Sequence, residues 1–453
     1  NHTHSNTNTN ITKDCLTENC SKNNTKRHTN RYIFLSLFVH RSSSVYLCRC
    51  RKVNTSLLET QTTRQIFFQE TVFQWRRCVP TRTSTAPAAA VMGGASADTL
   101  FTLGSRREVQ LMGHLEEGGS REALRRWSEI LRPYGRADVR RSIIQLLTSA
   151  PPFFLCWYAS YRALSFSYWL SLALAIPTAA FLLRLFVIQH DCGHGSFLKS
   201  QKTANRVGFW LGVLTMTPYH YWRRTHAYHH AHSGDLGFRG LGDIDVITTS
   251  EYYGKPFLGR LRYRAYRHPV VMLGLGGLFQ FVLKHRFPWE IPRSWRREWR
   301  SVWKTNGVLA AILLFMWLTI GLKTFVLVHL PVLFLTVTTG VWLFYVQHQF
   351  EDTYWREHED WAYVDAGLKG SSHLALPKLL QWVTASIGIH HVHHLNAKIP
   401  NYRLQECLDA NPKLQQVTRL TIWDAIKTLK LSLWHEDSQR LVGFREAKRL
   451  ATP

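Results

Sequence analysis

Cysteine is scarce in this chain of 453 residues and is unevenly placed. Five of the eight cysteines lie before residue 92, the other three are isolated, and no C-x-x-C pair occurs. Neither a disulfide framework nor a cysteine-based zinc site is supported by this pattern. Any metal bound by the chain is therefore expected to have nitrogen ligands.

Acidic residues are also few. The chain has 30 Asp and Glu against 56 Lys and Arg, which gives a formal charge of +26. Such a balance is typical of nucleic-acid-binding proteins. However, the sequence has no nucleic-acid-binding motif, and the basic residues lie beside long apolar runs, where the positive-inside rule accounts for them. No nucleic-acid partner is expected.

Methionine is missing from residues 1–91, and the first one is Met92. This stretch starts with the low-complexity sequence N-H-T-H-S-N-T-N-T-N-I-T and has 13 basic against 4 acidic residues. One interpretation is translated sequence upstream of a true start at Met92. The other is an organelle-targeting extension, since such extensions are basic, Ser-rich and acid-poor. We favour the first, expect a disordered or non-native stretch, and leave it out of the fold prediction.

An amphipathic helix is predicted over residues 120–131, within an N-terminal segment of residues 92–141. Leu124, Trp127 and Ile130 share one face of this helix, and arginines lie beside that face. The Trp and Arg content favours a helix at a membrane interface over a short core helix.

Four uncharged runs reach the roughly 17–25 residues that a helix needs to cross a bilayer. Connections of only a few residues join the first run to the second and the third to the fourth, so two helical hairpins are predicted. Shorter apolar stretches at 207–222 and 270–283 fit re-entrant or interfacial helices better. The four runs are Ser142–Tyr161, Phe166–Leu183, Thr305–Leu322 and Thr324–Gln347.

Charge orients the two predicted hairpins. Residues 189–306 contain 18 Lys and Arg against 7 Asp and Glu, whereas each hairpin tip has one basic residue, Arg162 or Lys323. The positive-inside rule places this loop and the chain after the fourth run in the cytosol. We therefore predict an all-α integral membrane protein with four transmembrane helices. The membrane domain is predicted at residues 142–413 with a helical cytosolic cap, followed by an amphipathic tail at residues 414–453.

Histidine, unlike cysteine, is abundant, with 23 residues. Two stretches share the spacing H-x-x-H-H, and a third, H-D-C-G-H, has the i, i+4 version. On a helix, positions i, i+3 and i+4 share a face, so each box is predicted to aim its imidazoles at one spot. The predicted topology brings all three boxes to one side of the membrane. The eight box histidines are His190, His194, His226, His229, His230, His390, His393 and His394.

Eight imidazoles exceed the three or four ligands of a single zinc-type site, so two metal ions in one cluster are predicted. His348, at the end of the fourth run, is a candidate ninth ligand. The alternative is that it is a histidine at the membrane interface that binds no metal. Glu351 and Asp352 are candidates for hydrogen bonds to the far nitrogens of ligating imidazoles, or else are solvated surface charges. The other histidines near the boxes, expected to be bystanders or outer partners, are His220, His232 and His391.

The type of ligand does not select the metal. Imidazole suits zinc, copper, iron and nickel, and affinity alone would favour copper or zinc over ferrous iron. The H-E-x-x-H motif of zinc peptidases is absent, which argues against a membrane protease.

The order of the boxes and the residues that flank them are distinctive. H-D-C-G-H ends an apolar run, H-A-Y-H-H follows about thirty residues later, and H-H-V-H-H lies near the C-terminus. The flanks are T-P-Y-H-Y-W-R-R before the second box, F-Y-V-Q-H-Q-F-E-D-T-Y-W before the third and I-P-N-Y after it. From about residue 134 to residue 412, the chain resembles the membrane fatty acid desaturases, and its flanks are similar to the acyl-lipid branch that includes Δ12 (omega-6) desaturases. The eight box histidines match the family pattern one by one, and His348 corresponds to the family's additional histidine before the third box.

This resemblance implies a non-haem di-iron centre, with two iron ions, that uses O2 and two electrons to put a cis double bond into an acyl chain. The implied substrate is a membrane lipid or other acyl compound. The H-P-G-G haem motif of a fused cytochrome b5 domain is absent, so the resemblance also implies a separate electron donor, cytochrome b5 or ferredoxin. The implied location is the endoplasmic reticulum with the site facing the cytosol, or alternatively a plastid membrane.

Two other functions fit parts of the pattern. Fatty acid hydroxylases, acetylenases and conjugases are built on the same boxes and differ from desaturases by small changes in the pocket. A non-enzymatic histidine-rich membrane protein, such as a metal carrier or a haem-binding module, is disfavoured. Carriers usually need polar groups inside their spans, whereas these histidines lie outside nearly uncharged runs.

Overall fold

The computed structural model describes residues 118–451, and most of these residues are helical. The predicted extension of residues 1–91 lies outside the described residues. The described region begins with the helices α1 (Gly118–Leu131), α2 (Val139–Leu147) and α3 (Ala150–Ala163). The coarse prediction of a mostly helical protein is confirmed.

Helix α1 is the predicted amphipathic helix, and its apolar face packs on protein. Trp127, Ile130 and Leu131 lie in one buried cluster with Val392 of the third histidine box and with Leu404. This contact covers part of the apolar stripe. The interfacial placement expected from the Trp and Arg content stays a prediction.

The first predicted run, Ser142–Tyr161, is divided between two helices. Helix α2 ends at Leu147, and α3 begins at Ala150 with Pro151 in its first turn. A proline has no N–H for a helical hydrogen bond, so it is favoured at the start of a helix and ends the one before it. This run therefore does not form one long span.

Helix α4 (Tyr168–His194) follows and carries the first histidine box at its C-terminal end. Ser167 caps its start by accepting a hydrogen bond from a backbone N–H of the first turn. Gly195 ends it in the left-handed conformation, with φ of 68°, which a residue without Cβ adopts readily. Two shorter helices come next, α5 (Gln201–Leu214) and α6 (Tyr219–His232), and α6 carries the second box.

The chain between the second box and the next long helix forms short elements. These are strand β1 (Ile247–Thr248) and the helices α7 (Thr249–Gly254), α8 (Phe257–Arg267) and α9 (Val270–Lys284).

Helices α10 (Arg296–Ile320) and α11 (Leu322–His348) form a hairpin that turns at Gly321. Together with α4, they are the three helices of the described region that are long and apolar enough to cross a membrane. The second, third and fourth predicted runs thus correspond to long helices. Helix α11 ends at His348, the candidate ninth ligand.

The C-terminal part of the described region folds over the ends of these helices. Two small sheets form here: β1 pairs in parallel with β4, which pairs antiparallel with β5, and β2 pairs in parallel with β3. The residues predicted as an amphipathic tail therefore include a β-hairpin, and Trp434 and Leu441 of that hairpin are buried. The helices are α12 (Tyr363–Lys369), α13 (Lys378–Val383), α14 (His390–Leu395), α15 (Asn401–Ala410), α16 (Ile422–Lys427) and α17 (Phe444–Leu450). The strands are β2 (His373–Leu374), β3 (Arg419–Leu420), β4 (Leu433–His435) and β5 (Arg440–Val442).

The largest buried cluster holds α4 in place. Leu182, Leu185 and Ile188 of α4 pack in one cluster with Leu211 of α5 and Val332 of α11. This packing fixes α4 against its neighbours, so the histidine-bearing ends of α4 and α11 lie beside the same site.

Candidate metal centre

Nine buried or largely buried histidines converge in two groups, and the possible ligand atoms within each group all lie within 4.8 Å of one another. All nine are the histidines singled out from the sequence. They come from α4, α6, α11 and α14, which are distant in the chain. Group 1 is His190, His194, His226, His230 and His393, and group 2 is His229, His348, His390 and His394.

Helical geometry divides the second and third boxes between the groups. On α6, His226 and His230 place their Nε2 atoms 3.2 Å apart in group 1, whereas His229 places its Nε2 atom 3.2 Å from that of His394 in group 2. Consecutive residues differ in direction by about 100° on a helix, so neighbours such as His229 and His230 point apart. The prediction that each box aims at one spot holds for His190 and His194 of the first box but is wrong for the second box.

The third box shows the same division in reverse. The Nε2 atoms of His390 and His394 are 3.1 Å apart in group 2, and His393 turns to group 1, where its Nε2 lies 3.0 Å from that of His230. His348 joins group 2 with its Nε2 3.0 Å from that of His390. Two boxes thus each contribute to both groups, so that the nine histidines form two adjoining sets of possible ligands.

The donor set fits metal ions with a preference for nitrogen. The converging atoms are imidazole nitrogens about one hydrogen bond apart, and neither group contains a thiolate or a carboxylate. Burial, followed by the charges of neighbouring histidines, holds the pKa of several of these imidazoles well below the ordinary histidine value. They are therefore neutral near pH 7, and the neutral form is the one that binds metal. Outside the long apolar helices, these histidines are His226, His230, His390, His393 and His394.

Hydrogen-bond acceptors, two of them buried and one partly buried, orient the far side of three of the rings. Asp191, which is 1% exposed, has its Oδ1 3.0 Å from His190 Nδ1. Asp243 makes a short contact with His229 Nδ1, and the carbonyl of Gly370 lies 3.0 Å from His348 Nδ1. Partners of this kind fix the tautomer so that Nε2 is free to face a metal.

The two carboxylates expected from the sequence do not fill this role. Glu351 has a side chain 57% exposed that accepts a hydrogen bond from Arg440, and Asp352 is exposed. Both lie after the end of α11, where the chain turns to the surface. Their predicted contact with ligating imidazoles is therefore corrected in favour of Asp191 and Asp243.

The replacement residues differ in how visible they are in the sequence. Asp191 belongs to the H-D-C-G-H box itself, so its adjacency to His190 was a usable signal. Asp243 lies 14 residues after its partner histidine and follows Gly242, which has a φ of 87°. A Cβ on Gly242 would lie 2.6 Å from a backbone oxygen of α6, so only glycine lets this loop approach the second box.

The three other histidines singled out from the sequence stand apart from both groups. His391 is fully buried, and its ring centroid lies 6.0 Å from that of His373. His232 lies beside Asp235 at 3.8 Å, and His220 is at the start of α6, away from the cluster. The prediction that they are bystanders or outer partners stays a prediction.

Comparison with known proteins finds a match over the part of the chain that contains the nine histidines. The sequence model of the fatty acid desaturase family matches residues 167–423, a range that contains all nine. A fatty acid desaturase of Bacillus subtilis is 41% identical over 317 residues, which cover 70% of this chain and 90% of that protein.

Two further relatives carry more specific names. The sn-1 oleoyl-lipid 12-desaturase of Synechocystis is 27% identical over 249 residues, which are 51% of this chain and 65% of that protein. The chloroplastic sn-2 acyl-lipid omega-3 desaturase (ferredoxin) of Arabidopsis thaliana is 29% identical over 247 residues, or 50% and 51% of the two chains. With the family match and the Bacillus relative, these findings confirm the resemblance drawn from the boxes: the chain is an oxidoreductase that belongs to the fatty acid desaturase family.

Proposed function

We propose that this enzyme inserts a cis double bond into the acyl chain of a membrane lipid, at a di-iron centre held by the nine histidines. The observation that carries the proposal is the pair of imidazole groups, to which the ends of the long apolar helices α4 and α11 both contribute. Two iron ions bound there would supply the O2-dependent oxidising chemistry that an unactivated methylene pair requires. Breaking the two carbon–hydrogen bonds would release two electrons and two protons, and the donor and the solvent would add two electrons and two protons, so that one O2 is reduced to two waters.

The protein's own residues hold the imidazoles of both groups and orient them. Asp191, Asp243 and the Gly370 carbonyl set the direction of three imidazoles, and the buried position of both groups keeps bulk water away. Iron is proposed over zinc because the reaction consumes electrons, and zinc has no redox chemistry. The all-nitrogen donor set is compatible with this choice.

We place the site on the cytosolic face of the membrane. Helices α4 and α11 both run toward the site, and α10 starts with the basic sequence R-R-E-W-R on the same side, which agrees with the positive-inside rule. The proposed topology keeps four membrane passages, with α2 and α3 together as a broken first passage. The endoplasmic reticulum is the proposed compartment and a plastid membrane the alternative, although the Bacillus relative comes from a cell that has neither.

For the position of the double bond, we propose Δ12 on an acyl-lipid substrate, since a relative named as an oleoyl-lipid 12-desaturase is 27% identical to this chain over 51% of its length. The electron donor is proposed to be cytochrome b5 or ferredoxin, and the name of the Arabidopsis relative includes the second. The excess of Lys and Arg in residues 189–306 would complement an acidic surface on either donor.

Expression in a yeast that lacks polyunsaturated lipids tests the proposal. We expect a new diene in total lipids, and mass spectrometry of its derivatised double bonds should place the second bond at carbon 12. A diene with the bond elsewhere would overturn the Δ12 assignment alone. Hydroxylated or acetylenic products would favour the related enzymes, and iron-loaded protein that yields no new fatty acid would contradict the proposed reaction.

A further inference from the structure

We infer that Arg267 and Gln349 are positioning residues for group 2, and that the chain at residues 428–431 supports them. The inference rests on the proposed function, because it concerns how the protein holds the second of two metal ions. Residues 428–431 lie beyond the range 167–423 that the family model matches. This support therefore lies outside the range that the family model matches.

Arg267 ties three separate segments together from a buried position. It is 2% exposed and ends α8. Its Nη1 donates to the carbonyl of Asp245 at 3.0 Å, and its Nη2 donates to Gln349 Oε1 and, at 3.1 Å, to the carbonyl of Leu431. A buried guanidinium with these fixed acceptors defines one arrangement of the three segments, since its planar donors cannot follow a displaced partner.

Gln349 connects Arg267 to the histidines of group 2. It directly follows His348, a member of group 2, and it is 3% exposed. Its Nε2 donates to the carbonyl of Ile244 at 3.0 Å, one residue after Asp243, whose carboxylate contacts His229. One amide side chain thus joins the end of α11 to the loop that orients a histidine of α6.

The C-terminal segment contributes backbone carbonyls that accept hydrogen bonds from α8 and α11. Tyr345, fully buried on α11, shares its one hydroxyl hydrogen between the carbonyls of Thr428 at 2.7 Å and Leu431 at 2.8 Å. The same Leu431 carbonyl accepts from Arg267, so one backbone oxygen joins α8 and α11. Tyr263 of α8 adds a bond of 2.6 Å to the carbonyl of Ser432.

Group 1 is held by other residues. In group 1, His190 is oriented by the carboxylate of Asp191. Asn401 donates a hydrogen bond to that carboxylate, and Gln145 of α2 donates one to Asn401. These contacts share no residue with the Arg267 network. Loss of Arg267 should therefore weaken one metal position and spare the other, which is a pattern that general destabilisation would not produce.

The test is anaerobic titration of the full chain, purified in detergent and stripped of metal, with ferrous iron alone. Wild type is expected to bind two ions per chain. In Arg267→Met and in Gln349→Leu, one ion should bind as in wild type and the other at least about 10-fold more weakly, the range seen when outer partners of ligands are lost. The matched control is Arg262→Met, because Arg262 lies exposed on the same helix, and it should bind both ions normally.

Double variants assign the loss to a group. His348→Ala removes a group 2 ligand. In that background, Arg267→Met should cause no further loss of iron affinity, because substitutions at interacting sites are non-additive. Added to His194→Ala, it should weaken the remaining ion. Unchanged binding of both ions in Arg267→Met, or equal weakening of both, would overturn the inference while the proposed function stands. A wild-type chain that binds fewer than two ions would overturn the di-iron proposal itself.

Discussion

Asn401 and Asp191 lie 210 residues apart in sequence and are joined by two hydrogen bonds. The backbone N–H and the side-chain Nδ2 of Asn401 donate to Asp191 Oδ2 at 2.7 Å and 2.8 Å. The other carboxylate oxygen faces His190 Nδ1, and Gln145 of α2 donates to Asn401 Oδ1 at 2.6 Å. The I-P-N-Y sequence after the third box therefore holds the carboxylate that orients a histidine of the first.

Asn401→Leu should lower both iron affinity and desaturation rate by about 10-fold or more, the cost of losing an outer partner. The substitution keeps the backbone bond but removes the side-chain donor and leaves Gln145 without its acceptor. The measurement is iron per chain at fixed free ferrous iron, together with the rate of diene formation. Asn411→Leu is the control, because Asn411 sits at the other end of α15 and bonds Cys407 instead. Equal effects of the two variants would contradict the role of Asn401.

Local spacing made most of the metal centre predictable. His190 and His194 are one helical turn apart, as are His226 and His230, and a helix brings such pairs together whatever the rest of the fold does. His348 was suggested by its position at the end of an apolar run. Long uncharged runs likewise identified α4 and α11, because the bilayer sets their length.

Contacts between distant segments were not predictable in the same way. Asp243 and Arg267 act through tertiary packing, and no periodicity in the sequence marks either residue. The division of the first run did have a visible cause in the sequence, Pro151, which lies in the first turn of α3. The opposite directions of His229 and His230 also follow from helix geometry, once the third segment that meets them is known.

His393→Ala should reduce diene formation at least about 100-fold, since it removes a nitrogen from group 1, and loss of an outer partner alone costs 10–100-fold. The measurement is the diene fraction in yeast lipids at matched protein level. His435→Ala is the control, because His435 lies on β4 and contacts Ser438 rather than the centre. Wild-type diene from His393→Ala would remove this residue from the ligand set.

Chelation of ferrous iron should abolish the activity of purified enzyme, and added ferrous iron should restore it. Zinc should bind the same imidazoles without restoring activity, because it cannot change oxidation state. The measurement is diene formation with a reducing donor system, before and after each metal is returned. Recovery with zinc would contradict a redox role for the metal.

Stability should fall in acid partly through His285, a buried histidine after α9 that is not a member of either group. Burial, followed by the charge of Arg286, lowers its pKa to about 3. Above about pH 6.5 neither the folded nor the unfolded chain protonates it, and below that pH only the unfolded chain does, so stability is lost as pH falls. Between pH 7.5 and 5.0 this histidine should contribute about 2 kcal/mol of lost stability.

His285→Gln should therefore flatten the dependence of the unfolding free energy on pH by that amount, measured by denaturant titration in detergent. Glutamine keeps a donor for the Met216 carbonyl, which lies 3.3 Å from His285 Nδ1. His268→Gln, at an exposed position, should leave the wild-type dependence intact. An unchanged dependence in His285→Gln would mean that His285 takes up a proton in the folded protein.

Gly193→Ala should reduce activity even though alanine favours a helix by about 0.5–1 kcal/mol over glycine. A Cβ on Gly193 would lie 3.0 Å from Trp222 Cζ3, and Trp222 stacks on His226 with ring centroids 4.6 Å apart. The indole also contacts Phe186 at 5.6 Å, so it cannot yield without pressing on a group 1 histidine. We expect a loss of several-fold in diene formation with unchanged or higher thermal stability.

Gly307→Ala, also within a long helix but with open space at its Cβ, should gain stability and keep full activity. Because propensity predicts the same gain at both positions, a loss confined to Gly193→Ala would identify the steric contact with Trp222 as its cause, and full activity there would exclude it.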